Sequence, residues 1–274
     1  MPYEEYKTFN FRADRGVLFV MIDSPPINLM TPDMVEDINR LTREVAADDE
    51  IKVIVFRSAN PDYFIAHYDV TVLAQFPDEP PPKPEEVAGF GYAFKNMPKI
   101  TIAQIEGRAR GGGSEFALAL DMRFGVLGKT ILGQPEISVG ILPGGGGTQR
   151  LPRLIGRSRA LEVIIGGLDV TAEVAERYGY LNRAMNADEI GPFVEKLAYQ
   201  IASYSSEAIA LNKQSVVNAE AMTLEEGLLE ETYLFGQLAA MPDAKRRMTR
   251  ILEAGAQTYE GELDFDQLVK KLDD

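Results

Sequence analysis

Between residues 16 and 57 the apolar pattern switches from strand to helix and back to strand, an order that few architectures accommodate. Gly16-Val-Leu-Phe-Val-Met-Ile22 is an apolar, β-branched run closed by Asp23-Ser24-Pro25-Pro26, which reads as a buried strand and a turn. Thr31-Pro32-Asp33 then supplies an N-cap, a proline at the first helical position and an acid in the first turn. Met34, Val35, Ile38, Leu41 and Val45 follow at helical spacing and predict a helix of roughly four turns. Lys52-Val-Ile-Val-Phe-Arg57 is a second buried strand. Strand, helix and strand in this order favour an α/β architecture with a right-handed crossover.

Prolines at 80, 81, 82 and 84 bar helix or central strand there, so Asp78–Pro84 is expected to be a surface loop. Glu85–Met97 reads as helix, with Val87, Phe90, Ala93 and Phe94 on one face. Ile100–Ile105 is a third buried strand and Met122–Leu127 a fourth. From about Ala187 onward strand signals vanish, and apolar residues such as Ile209, Val216, Leu224, Leu228, Leu229, Tyr233, Leu234 and Leu238 recur with helical periodicity. The expected organisation is an α/β core over residues 1–190 followed by a helical region over 191–274. No repeat of fixed period is evident.

Composition narrows the chemistry. The 274 residues include no Cys and one His, which removes thiolate nucleophiles, disulfides, cysteine zinc sites and histidine metal clusters. A Ser-His-Asp triad would have to run through His67. Carboxylates of shifted pKa, Lys or Tyr are left for acid–base work. With 28 Lys+Arg against 42 Asp+Glu the net charge is −14, which argues against nonspecific nucleic-acid or anionic-membrane binding. A small anionic ligand senses only the local field and is not excluded. The first residues lack a targeting pattern and no apolar run reaches the ~18 residues of a membrane span, so a cytoplasmic protein is expected.

Two glycine-rich turns stand out. Gly107-Arg-Ala-Arg-Gly111-Gly112-Gly113-Ser114-Glu115 follows the third strand and leads into Phe116-Ala-Leu-Ala-Leu120, a good helix former. Glycines there let backbone amides approach a ligand at a helix N-terminus, suiting a phosphate or an oxygen that turns negative during reaction. The same pattern also serves as a plain tight turn, and its spacing is not a dinucleotide fingerprint or a phosphate loop. Glu115 falls in the first helical turn. Pro143-Gly144-Gly145-Gly146-Gly147 is the second turn, and Gly133-Gln134-Pro135-Glu136 places another carboxylate just upstream. Two acids near two flexible turns make a plausible acid–base pair, although spacing alone does not bring them together.

These residues carry a resemblance. Ile105–Glu115, Asp121, Gly133–Glu136, Gly140–Arg153 and Gly166–Leu181, extended back through Asn28-Leu29 and Phe64–Asp69, make the chain similar over about residues 15–185 to the enoyl-CoA hydratase/isomerase (crotonase) superfamily. The resemblance implies a crotonase-like spiral core of ββα repeats and a helical C-terminal trimerisation region, commonly a hexamer built from two trimers. It implies an acyl-CoA thioester substrate, coenzyme A being part of that substrate, and no metal or redox cofactor. The thioester oxygen would rest on the backbone amides of Tyr68 and Gly112. Ala66, His67, Asp69, Gly111 and Gly144 would line the substrate site. Glu115 and Glu136 match the two glutamates of the hydratases; Glu115 would help deprotonate a water and Glu136 would protonate the α-carbon. Retention of both favours hydration of a 2-enoyl-CoA over isomerisation. Thioester hydrolysis, carbon–carbon cleavage and a non-catalytic CoA-binding role are the alternatives.

The chain departs from the family at several points. His67 stands where the family usually has glycine, and either takes part in acid–base or hydrogen-bonding work or merely packs, the second being favoured by the sequence. Tyr68 is bulky for its place, and would either narrow the acyl pocket or serve as a structural aromatic. The segment from Glu115 to Glu136, with Gly128-Lys129-Thr130 as its turn, is one residue longer than the common hydratase pattern, which could shift Glu136. The C-terminal Tyr259–Asp266 is acidic where relatives are often aromatic and basic. Lys245, Arg246, Arg247 and Arg250, with Arg108 and Arg110, are candidates for CoA phosphates or for a solvated face.

Overall fold

Buried β-branched runs pair first. In the computed structural model, which describes residues 3–79, 82–84 and 90–270, β1 (Phe9–Asp14) and β2 (Val17–Ile22) form an antiparallel hairpin. The chain then crosses through α1 (Pro32–Ala46) to β3 (Val53–Ser58), which lies parallel to β2. Thr31 caps α1 as its sequence predicts, its hydroxyl accepting from the Met34 amide at 3.3 Å. The α1 face carrying Met34, Ile38, Leu41 and Val45 is buried.

From β3 onward the chain repeats a two-strand step. β4 (Tyr63–Ile65), α2 (Val70–Leu73) and α3 (Phe90–Asn96) lead to β5 (Ile100–Ile105); β6 (Arg108–Arg110) and α4 (Gly112–Ala119) lead to β7 (Met122–Val126) and β8 (Ile131–Gly133). β3, β5 and β7 add in parallel to a six-stranded sheet of order β1-β2-β3-β5-β7-β10, while β4, β6 and β8 add in parallel to a four-stranded sheet of order β4-β6-β8-β9. Each turn of this spiral therefore lays one strand in each sheet, which is the ββα architecture the resemblance implies. A Glu136–Val139 3₁₀ turn, α5 (Gly147–Ile155), α6 (Arg157–Gly166), β9 (Val170–Thr171), α7 (Ala172–Tyr178), β10 (Arg183–Met185) and α8 (Ala187–Ala202) complete the first unit. The stretch expected to be helical from Glu85 begins outside the described residues and is helix over Phe90–Asn96.

Two compact units divide after Ala202. The boundary expected near 190 falls inside α8, whose Ile190, Val194 and Ala198 are buried with Val17, Val53, Val55 and Ile102 of the large sheet. The second unit, Ser203–Asp274, contains α9 (Ser206–Asn218), α10 (Leu224–Ala240), α11 (Pro242–Glu253), α12 (Tyr259–Leu263) and α13 (Phe265–Lys270). A capping box of Thr223 and Glu226 starts α10. Leu224, Leu229, Tyr233 and Phe235 of α10 are each more than half exposed. Among the described residues no helix is long and apolar enough to cross a membrane.

Candidate active site

α4 lies in the centre of the first unit, with every one of its residues buried. Its first turn can pack this deeply because a Cβ on Gly113 would overlap the Ile65 carbonyl at the end of β4. Gly111 has φ +50, in the left-handed region that favours glycine, and a Cβ there would come within 2.7 Å of Glu136 Oε1. The β8 end is tied to the same point by Gly111 N–H donating to the Gly133 carbonyl at 3.0 Å. Strand register thus brings Glu136 against the start of the helix that carries Glu115.

The two acids sit in different surroundings. Glu115 is buried, and Oε1 accepts from the Gly147 amide at 2.8 Å. Desolvation pushes its pKa up, opposed by amides of Gly147, Gly145 and Gly146 and by the charge of Arg150. Arg150 itself donates to the Gly145 carbonyl at 2.8 Å and so braces that loop. Glu136 is raised to about 7, first by burial and further by the charge of Glu115. Its Oε2 is buried and has no hydrogen-bond partner among the described residues. The two carboxyls therefore share one site in which Glu136 is the easier to protonate near neutrality.

Tyr68 and Gly112 are also brought together. Met30 and Tyr68 form a parallel bridge in which Met30 N–H donates to the His67 carbonyl at 2.9 Å and Asp69 N–H to the Met30 carbonyl at 3.0 Å. A trans peptide sets C=O and N–H on opposite edges, so the Tyr68 N–H is directed away from Met30. Gly112 opens α4, and its amide has no acceptor within the helix. The position of a Cβ on Gly112 lies 3.3 Å from the Tyr68 nitrogen, which fixes the two amides as neighbours. The Tyr68 ring packs half-buried against the core.

The remaining expected residues scatter in role. Ala66 is buried and its backbone is used by the Asn28 carbonyl and the Arg110 amide. Asp69 caps α2, accepting from the Thr71 amide at 2.9 Å and the Thr71 hydroxyl at 2.7 Å, which holds its pKa down. Gly144 is exposed; it is Gly145 to Gly147 that surround Glu115, a Cβ on Gly145 lying 2.7 Å from Oε2. His67 is half-buried, its Cβ 3.7 Å from where a Cβ on Gly111 would be. Gly128, with φ +69, makes the turn before β8, and Glu136 still reaches the field of Glu115 despite the extra length there. Arg110 is held by Asp169 in two 2.6 Å hydrogen bonds, and Arg246 pairs with Asp243.

Four residues outside the expected set support the site from behind. Ser114 and Tyr180 share a hydrogen bond, and Gln134 Nε2 donates to Ser114 Oγ at 3.2 Å, linking the neighbours of Glu115 and Glu136. Buried Arg123 donates to the carbonyls of Leu120 at 2.7 Å and Tyr180 at 3.0 Å, closing the C-terminal end of α4. Among the described residues no group of three His, Asp or Glu side chains is disposed to hold a metal ion.

A family model for enoyl-CoA hydratase/isomerase matches residues 12–262, and the chain belongs to that family. It is 31% identical to the "Probable enoyl-CoA hydratase echA8" of Mycobacterium leprae over 93% of this chain and 98% of that one. It is 28% identical to the crotonyl-CoA hydratase of Syntrophomonas wolfei over 90% of this chain and 96% of that one. The crystal structure of an enoyl-CoA hydratase from Bacillus anthracis superposes with a TM-score of 0.82, covering 93% of this chain and 100% of that one. At 24% identity this last likeness carries the fold.

Proposed function

We propose that the chain is an enoyl-CoA hydratase that adds water across the double bond of a 2-enoyl-CoA thioester without a metal or redox cofactor. One observation carries this reading: a buried Glu115 and a Glu136 raised to about 7 share a site beside the paired amides of Tyr68 and Gly112. Relatives named as hydratases support it.

In this mechanism the Tyr68 and Gly112 amides donate to the thioester oxygen, and their bonds strengthen as that oxygen becomes an enolate. Glu115, whose ionised form the Gly145–Gly147 amides and Arg150 favour against its burial, takes a proton from water as the water oxygen bonds to the β-carbon. Glu136, protonated in part of the population near neutral pH, gives its proton to the α-carbon as the enolate collapses. H and OH have then added across the double bond, and the proton on Glu115 returns to Glu136 through solvent before the next turnover.

The test is the product. Crotonyl-CoA mixed with the protein should lose its enoyl-thioester absorbance and gain the mass of one water. An isomerase would move the double bond at constant mass, a hydrolase would release free thiol, and a non-catalytic binder would do neither. Chelator treatment should leave the rate unchanged. A homotrimer or homohexamer is part of the proposal, since the open apolar side chains of α10 are of the kind oligomers cover, and solution mass measures it.

A further inference from the structure

The chain's single histidine is tied to the backbone of the residue that follows it. His67 Nδ1 lies 2.8 Å from the Tyr68 carbonyl oxygen. A carbonyl only accepts, so Nδ1 carries the proton and, in the neutral ring, Nε2 is the bare nitrogen. Two peptide planes meet at the Tyr68 α-carbon, and both are now held. Met30 N–H fixes the first through the His67 carbonyl; Met30 O holds the Asp69 N–H edge of the second. The His67 ring holds the opposite, carbonyl edge of that second plane. The Tyr68 N–H lies in the first plane, and its direction depends on neither plane rotating about the Tyr68 α-carbon.

We infer that His67 is a positioning residue for the Tyr68 amide, acting through an Nδ1–H bond to the Tyr68 carbonyl. The inference rests on the reading that the Tyr68 amide holds the substrate oxygen. Location agrees with it: the His67 Cβ and Glu136 Oε1 both lie within 4 Å of the point a Cβ on Gly111 would occupy, so the His67 side chain leaves the backbone beside the site. A glycine at 67 would leave the Tyr68 carbonyl without this donor.

Two measurements test it. Protein labelled with [15N]histidine has one imidazole to observe, and the nitrogen spectrum of its neutral ring should show Nδ1 protonated and Nε2 bare. An Nε2-protonated ring overturns the inference. In crotonyl-CoA hydration, His67→Ala and His67→Gln should each lower kcat about fivefold to tenfold, the worth of one hydrogen bond, with KM little changed. His67→Asn, whose amide nitrogen stands where Nδ1 stands, should restore kcat to within about twofold. Wild-type kcat in His67→Ala, equal rescue by Gln and Asn, or a loss confined to KM would each refute it. Should His67→Ala fail to fold, the Asn and Gln pair still decides. If wild-type protein hydrates no enoyl-CoA, the hydratase reading fails, while the nitrogen spectrum still decides the His67 bond.

Discussion

Gly111 and Glu136 touch: a methyl group on Gly111 would sit 2.7 Å from the Oε1 of Glu136. The contact explains how a carboxylate on the turn after β8 reaches the first turn of α4. Gly111→Ala should therefore displace Glu136 while also forcing alanine into a left-handed conformation, at about 1–3 kcal/mol. The expected result is a fall in hydration rate of at least about tenfold, beyond what the lower stability accounts for. Wild-type kcat in a folded Gly111→Ala protein would show that Glu136 is not held by this contact.

Gly145 bears the corresponding relation to Glu115. A Cβ there would lie 2.7 Å from Oε2, and Gly145 itself has no positive φ. Gly145→Ala is expected to keep its melting temperature within a few degrees and to lose rate, because the moved group is the buried carboxylate. Steady-state kinetics beside a thermal melt separate the two effects.

Arg123 should matter for stability. Arg123→Met leaves the Leu120 and Tyr180 carbonyls without their donor, at about 1–3 kcal/mol in total once relief of the buried charge is included. Urea denaturation should show a lower midpoint with an unchanged m-value; an unchanged midpoint would mean that other donors replace the guanidinium.

Stability should also carry the signature of Glu136. Its pKa rises from 4.5 to about 7 on folding, so between those values the folded protein keeps a proton that the unfolded chain has released. Stability from this group is greatest below 4.5 and is lost as pH rises towards 7. Glu136→Gln removes that dependence, and the variant's melting temperature should gain on the wild type from about pH 4.5 to about pH 8. A gap that stays constant or shrinks would contradict the burial of the Glu136 carboxyl as the cause of its raised pKa.

Much of the fold was legible because it is written in local pattern. The β2–α1–β3 unit, the Thr31 cap and the change to helices after Ala187 all follow from periodicity and capping chemistry. The glycine-rich turn at 111–113 was legible as a close approach, but not what approaches, since Glu136 and Ile65 arrive through sheet register. For the same reason the sequence does not show that Gly145 to Gly147 surround Glu115. The capping of α2 by Asp69, whose carboxylate accepts from Thr71, is a local signal that sequence reading passed over. The Ser114, Gln134 and Tyr180 cluster joins positions up to 66 apart, and no local signal marks it.

The central claim is that Glu115 and Glu136 together handle the proton traffic of hydration. Its most direct test is the initial rate of crotonyl-CoA hydration by wild type, Glu115→Gln and Glu136→Gln, with folding verified by circular dichroism. Both variants should lose about 10²-fold to 10⁴-fold in kcat while still binding substrate. A variant that is folded and turns over at the wild-type rate would remove its glutamate from the mechanism.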